Sequence, residues 1–212
     1  MNAQVDHLVV AARTLEDGVQ WCEATLGITP GPGGKHALMS THNRLFSIAS
    51  DAFPKAYFEI IAIDPDAPPP GRARWFGLDA LDLSSGPRLV TFVARMTALD
   101  ATLAAIRDAG IDGGRALAAS RETPAGWLRW RIAVRDDGAV LCGGAMPTLI
   151  EWGEHHPAAS MPASGVSLRS LVLRVVPRSA LDIAQVTCAG TPGPALEAHL
   201  QTPRGPITLT SL

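Results

Sequence analysis

The sequence predicts an α+β fold: two copies of a strand–helix–strands unit, then a partial third unit that is mostly β. Three observations carry this reading. The first is a repeated opening, in which an apolar strand at Val5–Ala12 leads into Thr14-x-x-Asp17, a helix and Gly27-Ile28. Eighty-three residues later a strand at Leu89–Ala94 leads into Thr97-x-x-Asp100, a helix and Gly110-Ile111. The second is a repeated ending, an aromatic-rich strand with one carboxylate in apolar company: Tyr57-Phe58-Glu59-Ile60-Ile61, then Leu149-Ile150-Glu151-Trp152. The third is a tail in which Leu168, Leu171 and Leu173 alternate imperfectly with Arg169 and Arg174.

Each element has a local cause. Thr14 is placed to cap the first helix, with Asp17 returning the bond and favouring the positive helix end. Leu15, Val19, Cys22 and Leu26 form its buried stripe, and Gly27 suits the left-handed position that stops it. Pro30-Gly31-Pro32-Gly33-Gly34 is a loop by composition. Strands follow at Asn43–Ala49 and Ala56–Ile63, and Asp64-Pro65-Asp66-Ala67-Pro68-Pro69-Pro70-Gly71 is a semi-rigid connector. In the second unit Leu99, Leu103 and Ile106 line the helix, with strands at Ala116–Arg121, Leu128–Arg135 and Thr148–Trp152. Residues 157–165 are a loop. Strands at Val166–Val176, Ala195–Gln201 and Ile207–Leu209 follow, the last two joined by a hairpin loop longer than two residues at Pro203-Arg204-Gly205-Pro206. The expected division is 1–71, a connector at 72–86, 87–156, and 166–212.

Composition narrows the classes. The 212 residues are 47% hydrophobic and 18% charged, which describes a globular chain with a real core. A formal net charge of −2 gives no reason to expect a nucleic acid or an anionic membrane as partner. No apolar run reaches eighteen residues, so no transmembrane helix is expected, and the first residues lack a basic-then-apolar leader. Cys22, Cys142 and Cys188 are odd in number and far apart, which fits buried thiols in a reducing cytoplasm.

Strand alternation puts Glu59 on one face with Tyr57 and Ile61, and Glu151 on one face with Leu149. A carboxylate among such residues costs several kcal/mol unless it is paired or bound to metal. Two readings follow: a functional cup shared by both units, or edge strands whose Glu residues face water or pair with arginines. His7 stands at the start of an apolar run, His42 precedes Asn43 at the start of a strand, His36 lies in a loop and is expected to be solvated, and His155-His156 point apart. Arg129 and Arg131 share a face, either solvated or lining the cup to read a carboxylate or phosphate. Arg74-Trp75-Phe76-Gly77 is either a lid or a packing plug.

The paired units, with Asp6-His7-Leu8-Val9-Val10 and Tyr57-Phe58-Glu59-Ile60-Ile61, resemble the vicinal-oxygen-chelate superfamily. Gly33-Gly34-Lys35-His36, Thr41-His42-Asn43, Glu59-Ile60-Ile61-Ala62-Ile63-Asp64-Pro65 and Arg74-Trp75-Phe76-Gly77-Leu78-Asp79 are most similar to its glyoxalase-like domain family. The resemblance implies paired βαβββ units forming a curled mixed sheet (glyoxalase/dioxygenase-like), with a divalent metal (Zn, Mn, Ni or Mg) at the floor. It implies His7, Glu59 and Glu151 as ligands. The helix repeat maps the fourth onto Val90, where neither it nor Leu89 or Thr91 is a good donor. His42 then either fills that gap or orients a metal-bound water. Such a metal would chelate adjacent oxygens of a small substrate, with Glu151 or Glu59 as base in isomerase or lyase chemistry. Asn43, Arg129, Arg131 and Trp75 would contact that substrate. A non-catalytic binding module of the same fold is the alternative, and an Fe(II) dioxygenase, which needs His42 as ligand, ranks below both. A homodimer is compatible with the fold.

Overall fold

A computed structural model describes residues 2–123, 126–174, 182–183 and 185–211. The first unit runs β1 (Asn2–Ala11), α1 (Leu15–Leu26), β2 (Lys35–His36), β3 (Thr41–Ser47) and β4 (Tyr57–Ile63). The second runs β5 (Arg88–Arg95), α2 (Leu99–Asp108), β6 (Arg115–Thr123), β7 (Gly126–Val134) and β8 (Thr148–Trp152). The tail contributes β9 (Ser167–Leu173), β10 (Asp182–Ile183), β11 (Thr187–Cys188), β12 (Leu196–Thr202) and β13 (Gly205–Thr210).

The main sheet has the order β2-β3-β4-β1-β5-β8-β7-β6, so each unit repeats the same internal order. β1 and β5 meet antiparallel in the middle, while β4 and β8 lie parallel to the opening strand of their own unit. The result is an α+β fold of paired units, as the repeat implied, in the curled mixed sheet that the resemblance implied. β10 adds to the end of β1, and the rest of the tail forms a second sheet, β11-β9-β12-β13.

Alternation along the strands sorts the side chains into two cores. On the outer face, Leu8, Val10, Phe58, Ile60, Phe92 and Leu149 pack against α1, α2 and the tail sheet. On the inner face, Val9, Ile61, Val93, Trp130, Ile132 and Ile150 pack against Trp75, Phe76 and Leu78 of the connector. The connector therefore fills the cup; it is a plug, with Trp75 only 4% exposed.

Local expectations meet several corrections. The Thr14 hydroxyl accepts the Asp17 N–H at 3.0 Å, and Gly27 closes α1 at φ 77°, but Asp17 turns its carboxylate to Arg13. α2 begins one residue later than the motif suggests: its N-cap is Ala98, not Thr97, and has no side-chain cap bond. The hairpin loop between β12 and β13 holds only Pro203 and Arg204, because Thr202 pairs directly with Gly205. β3 is shifted two residues earlier than expected. Val175 and Val176, placed in the ninth strand by sequence, lie outside the described residues. Of the cysteines only Cys22 is buried, and Cys188 is exposed. Among the described residues no helix is long and apolar enough to cross a membrane.

Gly18 shows how closely α1 lies on the sheet. A Cβ there would stand 2.4 Å from Ile60 Cγ2 and 3.1 Å from the Ala12 Cβ. Intrinsic propensity favours alanine over glycine in a helix by about 1 kcal/mol. Overpacking costs roughly 1–3 kcal/mol, so it outweighs that gain. Gly18→Ala is expected to lower stability in urea unfolding; an unchanged or raised midpoint would contradict the packing described.

Candidate functional site

At the cup floor four polar side chains from three neighbouring strands form a buried chain. Asp6 and His7 are consecutive on β1, yet both turn inward because the β1–β5 register shifts between Val5 and His7. Asp6 Oδ1 lies 2.7 Å from His7 Nδ1, and His7 Nε2 lies 3.5 Å from Glu59 Oε2 on β4. Asn43 on β3 donates from Nδ2 to Glu59 Oε1 at 2.6 Å. Its orientation is fixed from behind, since its Oδ1 accepts the Gly34 N–H at 2.9 Å and Arg121 Nη1 at 3.4 Å. The second Asp6 oxygen accepts the Trp152 indole N–H at 3.1 Å and lies 2.8 Å from His156 Nε2. Tyr57 stacks on the His7 ring at 4.4 Å.

Acceptors on both sides make His7 a double donor, which is the imidazolium form. Burial alone would lower its pKa. The hydrogen bonds and charges of Asp6 and Glu59 overcome this and hold it at about 9, above its ordinary 6.5. Burial likewise resists ionisation of Glu59, and the His7 hydrogen bond and charge, with His36 and Asn43 beside it, keep that carboxyl below its usual range. Asp6 is likewise held below its usual range, against burial, by His156 and His7. His36 has no such support: burial, together with the Arg121 and His7 charges, pushes it down to about 4 despite the nearby Glu59.

The structure brings together some of the expected site residues and separates others. His7, Glu59, Asn43 and Trp75 all face the cup. Glu151 does not. It shares its face with Leu149, which packs against the helices, and its oxygens meet Arg131 Nη1 at 3.1 Å and the Leu99 N–H at 3.4 Å. Glu151 thus caps α2 in place of the missing side-chain cap. Arg131 also pairs with Asp100 at 2.7 Å, and Arg129 lies 5.9 Å from the exposed Trp127 ring, so both arginines are on the outside. His42 points away from the cup, between the inward Thr41 and Asn43. His36, expected in solvent, is buried on β2 with Nδ1 3.1 Å from Thr41 Oγ1 and its ring edge-on to Trp75. Asp6, Arg121, Trp152 and His156 were not anticipated at the site. For Asp6 the adjacency to His7 was the available signal, and it was masked by the rule that neighbours on a strand point apart.

These residues do not fit the implied metal centre. Only His7 and Glu59 of the expected donors reach the floor, and the second unit covers it with Val90, Val93 and Ile150. The Thr91 hydroxyl is spent on the Gly144 carbonyl at 3.0 Å. Asn43 presents an N–H to Glu59 where a ligand set would present a lone pair. Among the described residues, no three His, Cys, Asp or Glu side chains converge to hold a metal ion.

Space is distributed unevenly. The cavity beside His7, Glu59, Asn43, Trp75 and Arg121 measures about 40 Å³, room for a water molecule or so. A groove of about 820 Å³ opens next to it, between the glycine loop and the β6–β7 hairpin, roofed by residues 155–164. Leu45, Arg121 and Pro157 line both spaces.

A family model described as a glyoxalase-like domain matches residues 5–187, most of the chain. The chain belongs to that family. Among solved structures, the glyoxalase-like chain resembles a hypothetical protein from Staphylococcus aureus, 14% identical, with a TM-score of 0.57 over 82% of this chain and 70% of the other. A Streptomyces coelicolor methylmalonyl-CoA epimerase variant in complex with 2-nitronate-propionyl-CoA is 17% identical (TM-score 0.44, 70% of this chain, 94% of the other). Another methylmalonyl-CoA epimerase, in complex with methylmalonyl-CoA and NH4+, is also 17% identical (TM-score 0.46, 76% and 99%). Comparison with curated proteins gives no significant match.

The raised His7 pKa has a signed consequence. A group whose folded pKa lies above its unfolded value stabilises fully below about 6.5 and loses that contribution as pH rises through about 9. The thermal midpoint is therefore expected to fall between pH 6.5 and 9, and His7→Gln should flatten that slope. A wild-type midpoint that is constant over this interval would remove the imidazolium assignment.

Proposed function

We propose that this glyoxalase-like protein binds a small organic molecule in the groove beside the cup, with the molecule's polar end against the Asn43–Glu59–Arg121 cluster. The observation that carries this reading is the contrast in space. Trp75 and Phe76 leave about 40 Å³ beside Glu59, too little for a substrate, while the adjoining groove offers about 820 Å³ with several apolar walls. A pocket of that size with a few polar groups at one end suits a ligand of some twenty heavy atoms, on the usual proportions of binding sites. Glu59 is tuned away from base catalysis, since both its oxygens face donors and its pKa is lowered. The binding reading takes no step through a metal.

One observation favours a second reading, proton transfer by Glu59. The connector plug carries Phe76 at φ 59° and leaves Arg74 Nε and Trp75 Nε1 buried without a protein partner. A residue other than glycine in the left-handed region and buried donors without acceptors are both costly, so withdrawal of the plug would release part of what its burial gains. Withdrawal of Trp75 would expose Glu59 to a substrate from the groove, and His7 would return a proton to the product.

Metal content separates the binding reading from the metal-dependent isomerase or lyase. Protein purified without chelators is expected to carry far less than one divalent ion per chain, and Glu151→Gln should change neither that content nor ligand binding. A stoichiometric metal that disappears in Glu59→Gln would overturn the reading.

A further inference from the structure

Resting on the groove reading above, we infer that the ligand is an amphiphilic monocarboxylic acid, whose carboxylate pairs with Arg121 while an apolar, aromatic-bearing tail fills the groove. Arg121 is the one arginine or lysine among the described residues lining either the small cavity or the groove. It reaches across from β6, and among the described residues its guanidinium makes a single long hydrogen bond, 3.4 Å to Asn43 Oδ1. A guanidinium has five N–H donors in a planar fork that matches a carboxylate. The residue lines both the small cavity and the groove, and among the described residues nothing else accepts from this fork.

The seat of this guanidinium is built into the sequence. A Cβ on Gly34 would stand 2.2 Å from Arg121 Nη1, and one on Gly33 would stand 1.9 Å from the Asn43 carbonyl oxygen. Neither glycine adopts a left-handed φ, so what requires glycine here is close approach and not backbone conformation. The two glycines let their loop lie against Asn43 of β3 on one side and against the Arg121 side chain of β6 on the other.

The chemistry of the ligand follows from its surroundings. Glu59 faces the His7 imidazolium and Asp6 has Arg95 Nη1 at 3.9 Å, so Arg121 is the one positive charge left over and a second negative charge on a dianionic phosphate would find no counterpart. One negative charge is what the fork can compensate. Ile28, Leu45, Trp127, Leu128 and Met161 then supply apolar and aromatic walls for the tail.

The test uses two probes with the same body, 6-phenylhexanoate and 6-phenylhexanamide, titrated calorimetrically into the full chain. Wild type is expected to bind the acid at least ten-fold more tightly than the amide. Arg121→Gln should cost the acid far more than the amide and so bring the two affinities together, and Arg121→Lys should retain part of the preference. Gly34→Ala, which displaces the fork without removing its charge, should narrow the difference, and it decides the matter if Arg121→Gln fails to give a cooperative melt. Equal affinities for acid and amide in wild type, or an acid preference that survives Arg121→Gln, would overturn the inference while leaving the groove reading intact. Failure of both probes to bind would overturn both.

Discussion

The buried charges of Asp6, His7 and Glu59 constrain the inner half of this molecule more than any apolar contact does. An isolated carboxylate or imidazolium in such a place costs several kcal/mol, so each of the three is tolerable only with the others in position. The chain of contacts crosses the sheet: β1 supplies Asp6 and His7, β4 supplies Glu59, and β3 supplies Asn43. It then reaches β8 through Trp152, the loop after β8 through His156, and β6 through Arg121. Both units and the loop after β8 are therefore tied to one cluster. Replacing a single member would leave its partner charged and unpaired, which is why the cluster behaves as a unit and not as separable bonds.

The two-unit architecture was legible in the sequence because it rests on patterns that survive local irregularity. Apolar strands, helix stripes at 3.6-residue spacing and stop glycines recur whatever the register. The site was legible only in its first half. Tyr57, Glu59 and Ile61 do share the inner face, as alternation required. The second half failed by an odd number of residues. Helix starts at Leu15 and Leu99 make the repeat 84 residues, not 83, and so align Val9 with Val93. Val9 pairs with Glu59, and Val93 pairs with Thr148. The residue equivalent to Glu59 is thus Thr148, three positions before Glu151. An odd displacement on a strand reverses the face, and that alone sends Glu151 to the helix side.

The same sensitivity explains His42 and Asn43. A histidine attracts attention as a ligand or acid–base group, yet strand parity gives the inner position to its neighbour, and the amide has the harder task of linking Glu59, Gly34 and Arg121. The arginines reverse in a similar way. Arg129 and Arg131 lie beyond the inner Leu128-Trp130-Ile132 row, whereas Arg121, in a strand with weak apolar alternation, is the guanidinium at the site. No pattern in β6 announces it; only the curl of the sheet, which brings β6 round to the glycine loop of the other unit, does so.

That curl also decides where the proposed ligand would enter. β2 is two residues long, so the two ends of the strand order approach each other near His36 and part again beyond Gly34. A longer β2 would extend the contact with β6 and leave little opening at the seam. The short strand, the glycines and the plug act together: Trp75 and Phe76 exclude bulk from the floor, and the open seam leaves a passage whose inner wall is Arg121. On the proposed groove binding, the chemistry of this chain thus lies at the edge of the cup and not at its centre. With Arg95 3.9 Å from Asp6, the charges of Asp6, His7, Glu59 and Arg95 neutralise one another, and Arg121, which lines the groove, is the guanidinium left over.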